Sequence, residues 1–391
     1  MSTWRVARIH EFCATGTGGT PSRSKMARYY DGGRIPWVKS GELRETIITD
    51  TEEHVTGEAV NETGLKMVPS GALLLAMYGA TIGRLGTLGV SATTNQAVCH
   101  IVPDPKMADV RYLFHALSVQ VPSLVGRGMG GAQPNISQTL VKGLAVSLPP
   151  LEEQHRIADI LDRADALRAK RRAVLARLDN LVLSTFLEWL GPDDPARRQP
   201  LSTAFSEPPT YGTMIPPSDR GSWLTLRVGN IQDARLDLRD KKYISLPTSA
   251  RPRHSVRDGD LLMARAIASQ SHLGKCIVAQ PGGDAWAFDS HLMRIRLNQE
   301  VLMPEFFRQW LLTPGGRVAF LSVTRRSSVQ FNVNTKEIAG LRVPMPPIAD
   351  QRRFVRFEGE TEGIRTALEA SLTQLDALFA SLQHRAFRGE L

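Results

Sequence analysis

The chain has 391 residues, 42% of them hydrophobic and 22% charged, with a formal net charge of +9. That balance excludes a disordered or fibrous chain, leaves room for two or three cores, and favours an anionic partner such as nucleic acid. The longest apolar stretch, GALLLAMYGA from Gly71 to Ala80, is too short to cross a bilayer, so a cytoplasmic protein without membrane contact is expected.

Residues 1–147 alternate short apolar runs (ALLLAMY, TLGV, AVCHIV) with Gly, Pro, Asn and Asp turns, which predicts mainly β-structure with a helix over DVRYLFHALSVQ. The loop RGMGGAQPNIS, Arg127 to Ser137, follows. LPPLEEQHRIADIL, Leu148 to Leu161, then stops a strand with two prolines and starts a helix, its acidic Glu152 and Glu153 suiting the positive helix end. A helix from Gln154 to Trp189 would run ~54 Å. Gly191, Pro192 and Pro195 end it in a linker.

Residues 200–345 are again β-like, with DLLMARAI, KCIVA and LMRIRL as strands and PEFFRQWLL as a short helix. The loop TRRSSVQFNVN, Thr324 to Asn334, precedes a second proline gateway, MPPIADQRRFVRFE, Met345 to Glu358. The two gateways align without a gap at a constant shift of 197 residues (332 − 135), pairing Asn135 with Asn332, Gly143 with Gly340, both prolines, and Gln154 with Gln351. IPWVKSGEL and GSWLTLRVGNI echo one another upstream. The chain therefore reads as a duplication.

Spacings of four and three give a heptad seam in each helix: Ile160, Ala164, Leu167, Arg171, Val174, Leu178, Leu181 and Thr185 in the first, and Phe357, Thr361, Ile364, Leu368, Ser371, Leu375, Leu378 and Leu382 in the second. Two such helices in one chain are expected to pair, although each covering its own sheet is the plainer alternative. Gly359 and Gly363 weaken the second near its start. Arg168, Lys170, Arg171 and Arg172 form a basic face, read either as a contact to phosphate or a partner or as a solvated surface.

The paired Pro-Pro-x-x-x-Gln gateways, IPWVKSGEL, LLLAMYGATIG and GGAQPNIS resemble the specificity subunit of type I restriction-modification enzymes over nearly the whole chain. The resemblance implies an α+β fold: two mainly-β target recognition domains (1–147 and, with the linker, 191–345) joined by two spacer helices (148–190 and 346–391). These form an antiparallel coiled coil about a pseudo-twofold repeat. It further implies double-stranded DNA as ligand, a bipartite asymmetric site, and two modification subunits that carry S-adenosylmethionine. Restriction subunits that translocate and cut would join them, and no cofactor would bind this chain.

Polarity, loop position and equivalence between halves select Lys39, Ser40, Arg84, Arg127 and Gln133 in the first half as DNA contacts. In the second they select Arg227, Asn230, Arg265, Arg325, Arg326 and Gln330. Arginine reads guanine and Gln or Asn reads adenine through paired hydrogen bonds. A glycine-rich connector with solvated arginines is the plainer reading of the two loops. A stand-alone methyltransferase or endonuclease is the enzymatic alternative, and a duplicated scaffold the non-DNA one. The Pro-Pro sites Leu148 to Leu151, Met345 to Ile348 and Glu207 to Thr210 lack both the preceding Asp or Asn and the following aromatic of an amino-methyltransferase. GTGGT at 16–20 matches neither GxGxxG nor a P-loop. Nine histidines show no HExxH spacing, Asp104, Asp193, Asp258 and Asp260 form no nuclease pattern, and Cys13, Cys99 and Cys276 form no CxxC pair. No catalytic, cofactor or metal residue is expected.

Overall fold

The computed structural model describes residues 4–44, 46–127, 135–192, 194–232, 235–267, 269–270, 272–326 and 331–391. They fall into two compact units, residues 1–172 with 370–391, and residues 173–369. The two long helices, Leu151–Leu190 and Ile348–Ala386, begin at the two gateways, and the second runs unbroken through Gly359 and Gly363.

In the first unit β1 (Cys13–Thr17), β2 (Ile47–Ile48), β3 (Leu73–Ala76), β4 (Leu85–Leu88) and β5 (Val98–Pro103) form a sheet in the order β1-β5-β3-β4-β2. Only the β2–β4 pairing is parallel. Side chains alternate along β3: Leu73 and Leu75 enter the core shared with the helices, while Leu74 and Ala76 enter a second core on the opposite face. Near the turn joining β3 to β4, Gly83 has φ 85°, and a Cβ there would approach Val121 to 2.7 Å, so only glycine fits.

The second unit repeats this plan. β6 (Phe205–Tyr211), β7 (Leu261–Ala264), β8 (Cys276–Val278) and β9 (Leu292–Leu297) follow the order β6-β9-β7-β8, all antiparallel. Leu261 and Met263 face the helix-side core, Leu262 and Ala264 the other. Each unit adds a three-stranded sheet with one antiparallel and one parallel neighbour, around Ile35–Val38 in the first and Trp223–Leu226 in the second.

The gateway glutamines explain why the long helices start where they do. Gln154 is fully buried; its Oε1 accepts from the Asp109 amide at 2.9 Å, and its Nε2 donates to the carbonyls of Met107 (2.9 Å) and Pro149 (2.8 Å). Gln351, in its own unit, accepts from the Met303 amide at 2.8 Å and donates to Val301 (3.0 Å) and Pro346 (2.8 Å). One side-chain amide thus satisfies three backbone groups at the junction of sheet, short helix and long helix, a place where each unpaired group costs about 1–3 kcal/mol.

Within each unit the long helices pair antiparallel. In the first, Arg168 donates to Asp376 at 2.6 Å and lies over the Phe379 ring at 4.3 Å, while Arg156, earlier on its helix, reaches the Leu391 carbonyl at 2.9 Å. In the second, Arg365 pairs with Asp179, and Phe186 packs between Phe306 and Phe354 at 4.9 Å from each ring. Full burial of each such ring contributes about 1.5–3 kcal/mol.

The inward face differs from the heptad expected from hydrophobicity. Leu161 is buried while Leu167 is 52% exposed, and Val174, Leu181, Ile364 and Leu378 are also exposed. Ile160, Leu178, Leu368, Leu375 and Leu382 are half-buried. The contact runs through Ile157, Leu161, Ala164 and Arg168 on the first helix and Phe354, Thr361, Arg365 and Phe379 on the second. Polar residues occupy inward positions because carboxylates on the opposite helix receive them, which turns the stripe away from the leucine count. Of the basic face, Arg168 and Arg172 are held by Asp376, at 2.6 and 3.1 Å.

Candidate nucleic-acid interface

Each unit offers two polar corners. The first follows the strand of its small sheet. In the first unit Ile35–Val38 runs into a turn, Ser40–Glu42, where the Glu42 carboxylate accepts the Lys39 amide at 2.7 Å and Ser40 is half-buried. The Lys39 ammonium sits between Glu52 (3.2 Å) and Glu53 (2.9 Å), and Glu53 also binds Arg23 at 2.6 Å. Hydrogen bonds from Arg23 and Lys39 hold the Glu53 carboxyl down at about 2.

The second unit repeats this turn over Val228–Asn230. Asn230 Oδ1 accepts the Arg227 amide at 3.0 Å, and its Nδ2 donates to the carbonyls of Asp237 and Asp240 at 2.9 and 3.2 Å. Asn230 is only 3% exposed, so its amide is committed inside the fold. Its polarity in a turn had suggested a surface contact, whereas here it replaces missing backbone partners. Arg227 donates to the Asp240 carboxylate at 2.8 Å.

The second corner joins the end of the central strand to the segment leading into the gateway. In the first unit the Ile136 amide donates to the Met77 carbonyl at 2.7 Å, Tyr78 bridges Asn135, and Arg84 is exposed at the far end of the same turn. In the second unit the Val333 amide donates to the Arg265 carbonyl at 3.0 Å, and Ala266–Ile267, Phe331–Asn332 and Arg325–Arg326 form a small sheet.

Here the Arg265 guanidinium lies 4.2 Å above the Tyr211 ring. Its Nε donates to the Ser290 carbonyl at 2.8 Å and its Nη1 to Asn332 Oδ1 at 3.2 Å. Tyr211 is itself fixed, its hydroxyl accepting the Thr335 amide at 3.1 Å. Stacking and two hydrogen bonds hold the guanidinium plane, and its remaining donors meet no partner among the described residues. A planar, oriented donor fork of this kind suits a guanine edge or a phosphate. Arg325 is exposed and pairs with Glu337.

The structure thus brings Arg265, just before Ala266–Ile267, and Arg325 to one small sheet and places Arg227 and Asn230 in the turn that follows Trp223–Leu226. Arg84 shares a corner with the gateway lead-in, apart from Lys39 and Ser40. Gln133 and Gln330 lie outside the described residues, as do the side chains of Arg127 and Arg326. Sequence reasoning missed Tyr211, which ends the Glu207-Pro-Pro-Thr210 stretch weighed only as a methyltransferase motif; an aromatic closing a strand was the available signal. Asp260 is buried and accepts from Arg296 at 2.6 Å. Among the described residues no group of His, Cys, Asp and Glu is placed to hold a metal, and no helix is long and apolar enough to cross a membrane. The three cysteines are free and buried, which pushes each thiol up to about 12.

Comparison with known proteins agrees with this architecture. Residues 1–177 match the type I restriction modification DNA specificity domain. The specificity subunit of type I restriction enzyme EcoKI from Escherichia coli K12 is 22% identical over 99% of this chain and 89% of its own length. That of EcoR124I/EcoR124II from Escherichia coli is 26% identical, over 38% of either chain. The crystal structure of the type I restriction-modification S subunit from M. genitalium superposes with a TM-score of 0.57 at 14% identity, covering 98% of this chain and 96% of the other, a likeness of fold. By domain, relatives and fold together, the chain is similar to the specificity subunits of type I restriction-modification enzymes, with residues 1–177 matching their DNA specificity domain.

Proposed function

We propose that the chain selects the DNA sequence for a type I assembly and catalyses no reaction itself. Each unit reads one half of a bipartite, asymmetric site in double-stranded DNA. The paired helices set the separation of the half-sites, about one duplex turn or ~34 Å, and dock two modification subunits. Those subunits bring S-adenosylmethionine and methylate adenine, and restriction subunits join them. The regions 1–147 and 191–345 act as the recognition domains, 148–190 and 346–391 as the spacer.

The observation that supports this reading most is the duplicated corner beside each gateway, carrying Arg84 in one unit and the stacked Arg265 in the other. Arg265 contacts a base edge, and Lys39, Ser40, Arg127, Gln133, Arg227, Arg325, Arg326 and Gln330 contribute around it or at the phosphates. Exposed Val174, Leu181 and Ile364 offer apolar surface for a modification subunit.

Co-expression with a type I modification subunit, followed by mapping of methylated adenines, tests the reading. One split, asymmetric sequence is expected. Lengthening the first long helix by one turn, about 5.4 Å, should change the gap and leave the bases read unchanged. Arg265→Ala should relax one base position by about 1–3 kcal/mol. Methyl transfer or cleavage by the purified chain alone would refute the proposal.

A further inference from the structure

Each unit has a short crossover, residues 95–97 in the first and 289–291 in the second, that ties its two polar corners together. The Asn95 amide donates to the Val38 carbonyl at 2.9 Å, beside the Lys39 turn, and the Ala97 carbonyl accepts the Met77 amide at 2.8 Å, at the gateway corner. In the second unit the Asp289 amide donates to the Leu226 carbonyl at 3.0 Å, and the His291 carbonyl accepts the Arg265 amide at 2.9 Å. Asn95 Oδ1 and Asp289 Oδ1 each accept the amide two residues on, at 3.1 and 3.0 Å. Residue for residue, Met77 stands where the second unit has Arg265, and Gln96 where it has Ser290.

These two exchanges compensate one another. Met77 is only 6% exposed and has no N–H or O–H in its side chain, so it offers DNA no hydrogen bond. Arg265 reaches over the second crossover, its Nε on the Ser290 carbonyl. In the first unit the exposed Gln96 side chain leaves the chain at the residue equivalent to Ser290.

The glycine-rich residues 16–20 give that side chain a fixed seat. Gly16 lies against the buried His100 ring, and a Cβ on Gly18 would come within 1.7 Å of the Thr94 carbonyl oxygen, so no side chain fits there. The Gly19 amide donates to that carbonyl at 3.0 Å, and the Gly19 carbonyl accepts the Trp37 indole N–H at 3.1 Å. With the backbone pinned in this way, the Thr20 hydroxyl donates to Gln96 Oε1. That bond takes one of the two lone pairs on Oε1; the other, and both Nε2 donors, meet no partner among the described residues. A carboxamide so held presents an acceptor and a donor side by side, which complements the N6 donor and N7 acceptor of adenine. Fixing it beforehand removes the ordering cost that a free glutamine would carry into the complex.

We propose that Gln96 reads an adenine, other than a methylated one, in the half-site of the first unit, and that Thr20 is the residue positioning its carboxamide.

The assignment rests on the DNA-selecting role proposed above, and mapping of methylated sites with the co-expressed modification subunit tests the two separately. In the half-site that Arg265→Ala leaves unchanged, Gln96→Ala should lower discrimination at one unmethylated adenine about tenfold and alter no other position. Thr20→Val should relax that same position, whereas Thr20→Ser, which keeps the hydroxyl, should not. Both side chains are exposed, so none of these substitutions threatens the fold. If the wild-type complex marks no split sequence, the DNA-selecting role falls and the assignment with it. If it marks one and Gln96→Ala keeps full discrimination, or loses it at a base other than adenine, the assignment alone is overturned. Equal discrimination in Thr20→Val and wild type would overturn the positioning role.

Discussion

The two units share one frame and differ in how they close it. Both have the same order of four strands, the same alternation along the central strand, and the same glutamine bridging sheet and helix. Where the first unit places an 18-residue helix, Val110–Arg127, the second has two short ones, Pro304–Leu312 and Pro314–Ser322, with Thr313 between them. Where the second unit buries three phenylalanines, Phe186, Phe306 and Phe354, the first uses Tyr112, whose hydroxyl reaches the Ser147 carbonyl at 2.6 Å, and Ile157. The glutamine contacts to backbone and the Arg–Asp pair between the long helices (Arg168–Asp376 and Arg365–Asp179) are retained between the halves, whereas the packing of ring on ring is not. A backbone partner is present whatever the sequence, whereas a side-chain partner must change in step.

The strongest test of that equivalence is the glutamine pair. Gln154→Leu and Gln351→Leu each leave three buried backbone groups without a partner, so each should cost about 4 kcal/mol. Urea denaturation should give the two losses within about 1 kcal/mol of one another; a large difference would break the comparison. Phe186→Ala should cost about 3 kcal/mol, while its first-unit counterpart by the 197-residue shift, Gln383→Ala, should cost about 1 kcal/mol or less, measured in the same way.

A smaller contrast lies at the basic corners. The Glu53 carboxyl, held at about 2 by Arg23 and Lys39, stabilises the fold above its ordinary value of 4.5. That contribution is lost as pH falls from 4.5 towards 2. Melting temperature against pH should therefore drop less steeply in Glu53→Gln across this window. The smallest effect belongs to the misassigned stripe: Leu167→Gln should shift stability by no more than about 0.5 kcal/mol, whereas Leu161→Gln should be strongly destabilising.

The frame was legible in the sequence because its signals are tied to position: two prolines, an acidic first turn and a glutamine recur at one spacing. The helix phase was not, since Arg168, Thr361 and Arg365 face inward and a count of apolar residues passes over them. Arg265 was legible from its polarity and its place after a strand. Tyr211 was not, because the ring that holds Arg265 lies 54 residues earlier in the chain (265 − 211). Asn230 misled because a polar residue in a turn gives the same signal whether it faces water or replaces a backbone partner.

The two arginines turned towards the opposite helix have a bearing on how the chain reaches its native state. A seam of leucines can slide by seven residues and find other leucines waiting. Arg365, 6% exposed and matched to Asp179, cannot do so: shifted along the rod it would lie buried without its carboxylate, a penalty of about 3–5 kcal/mol. Arg168 with Asp376 checks the alignment independently in the other unit. Misaligned pairings therefore reject themselves during folding.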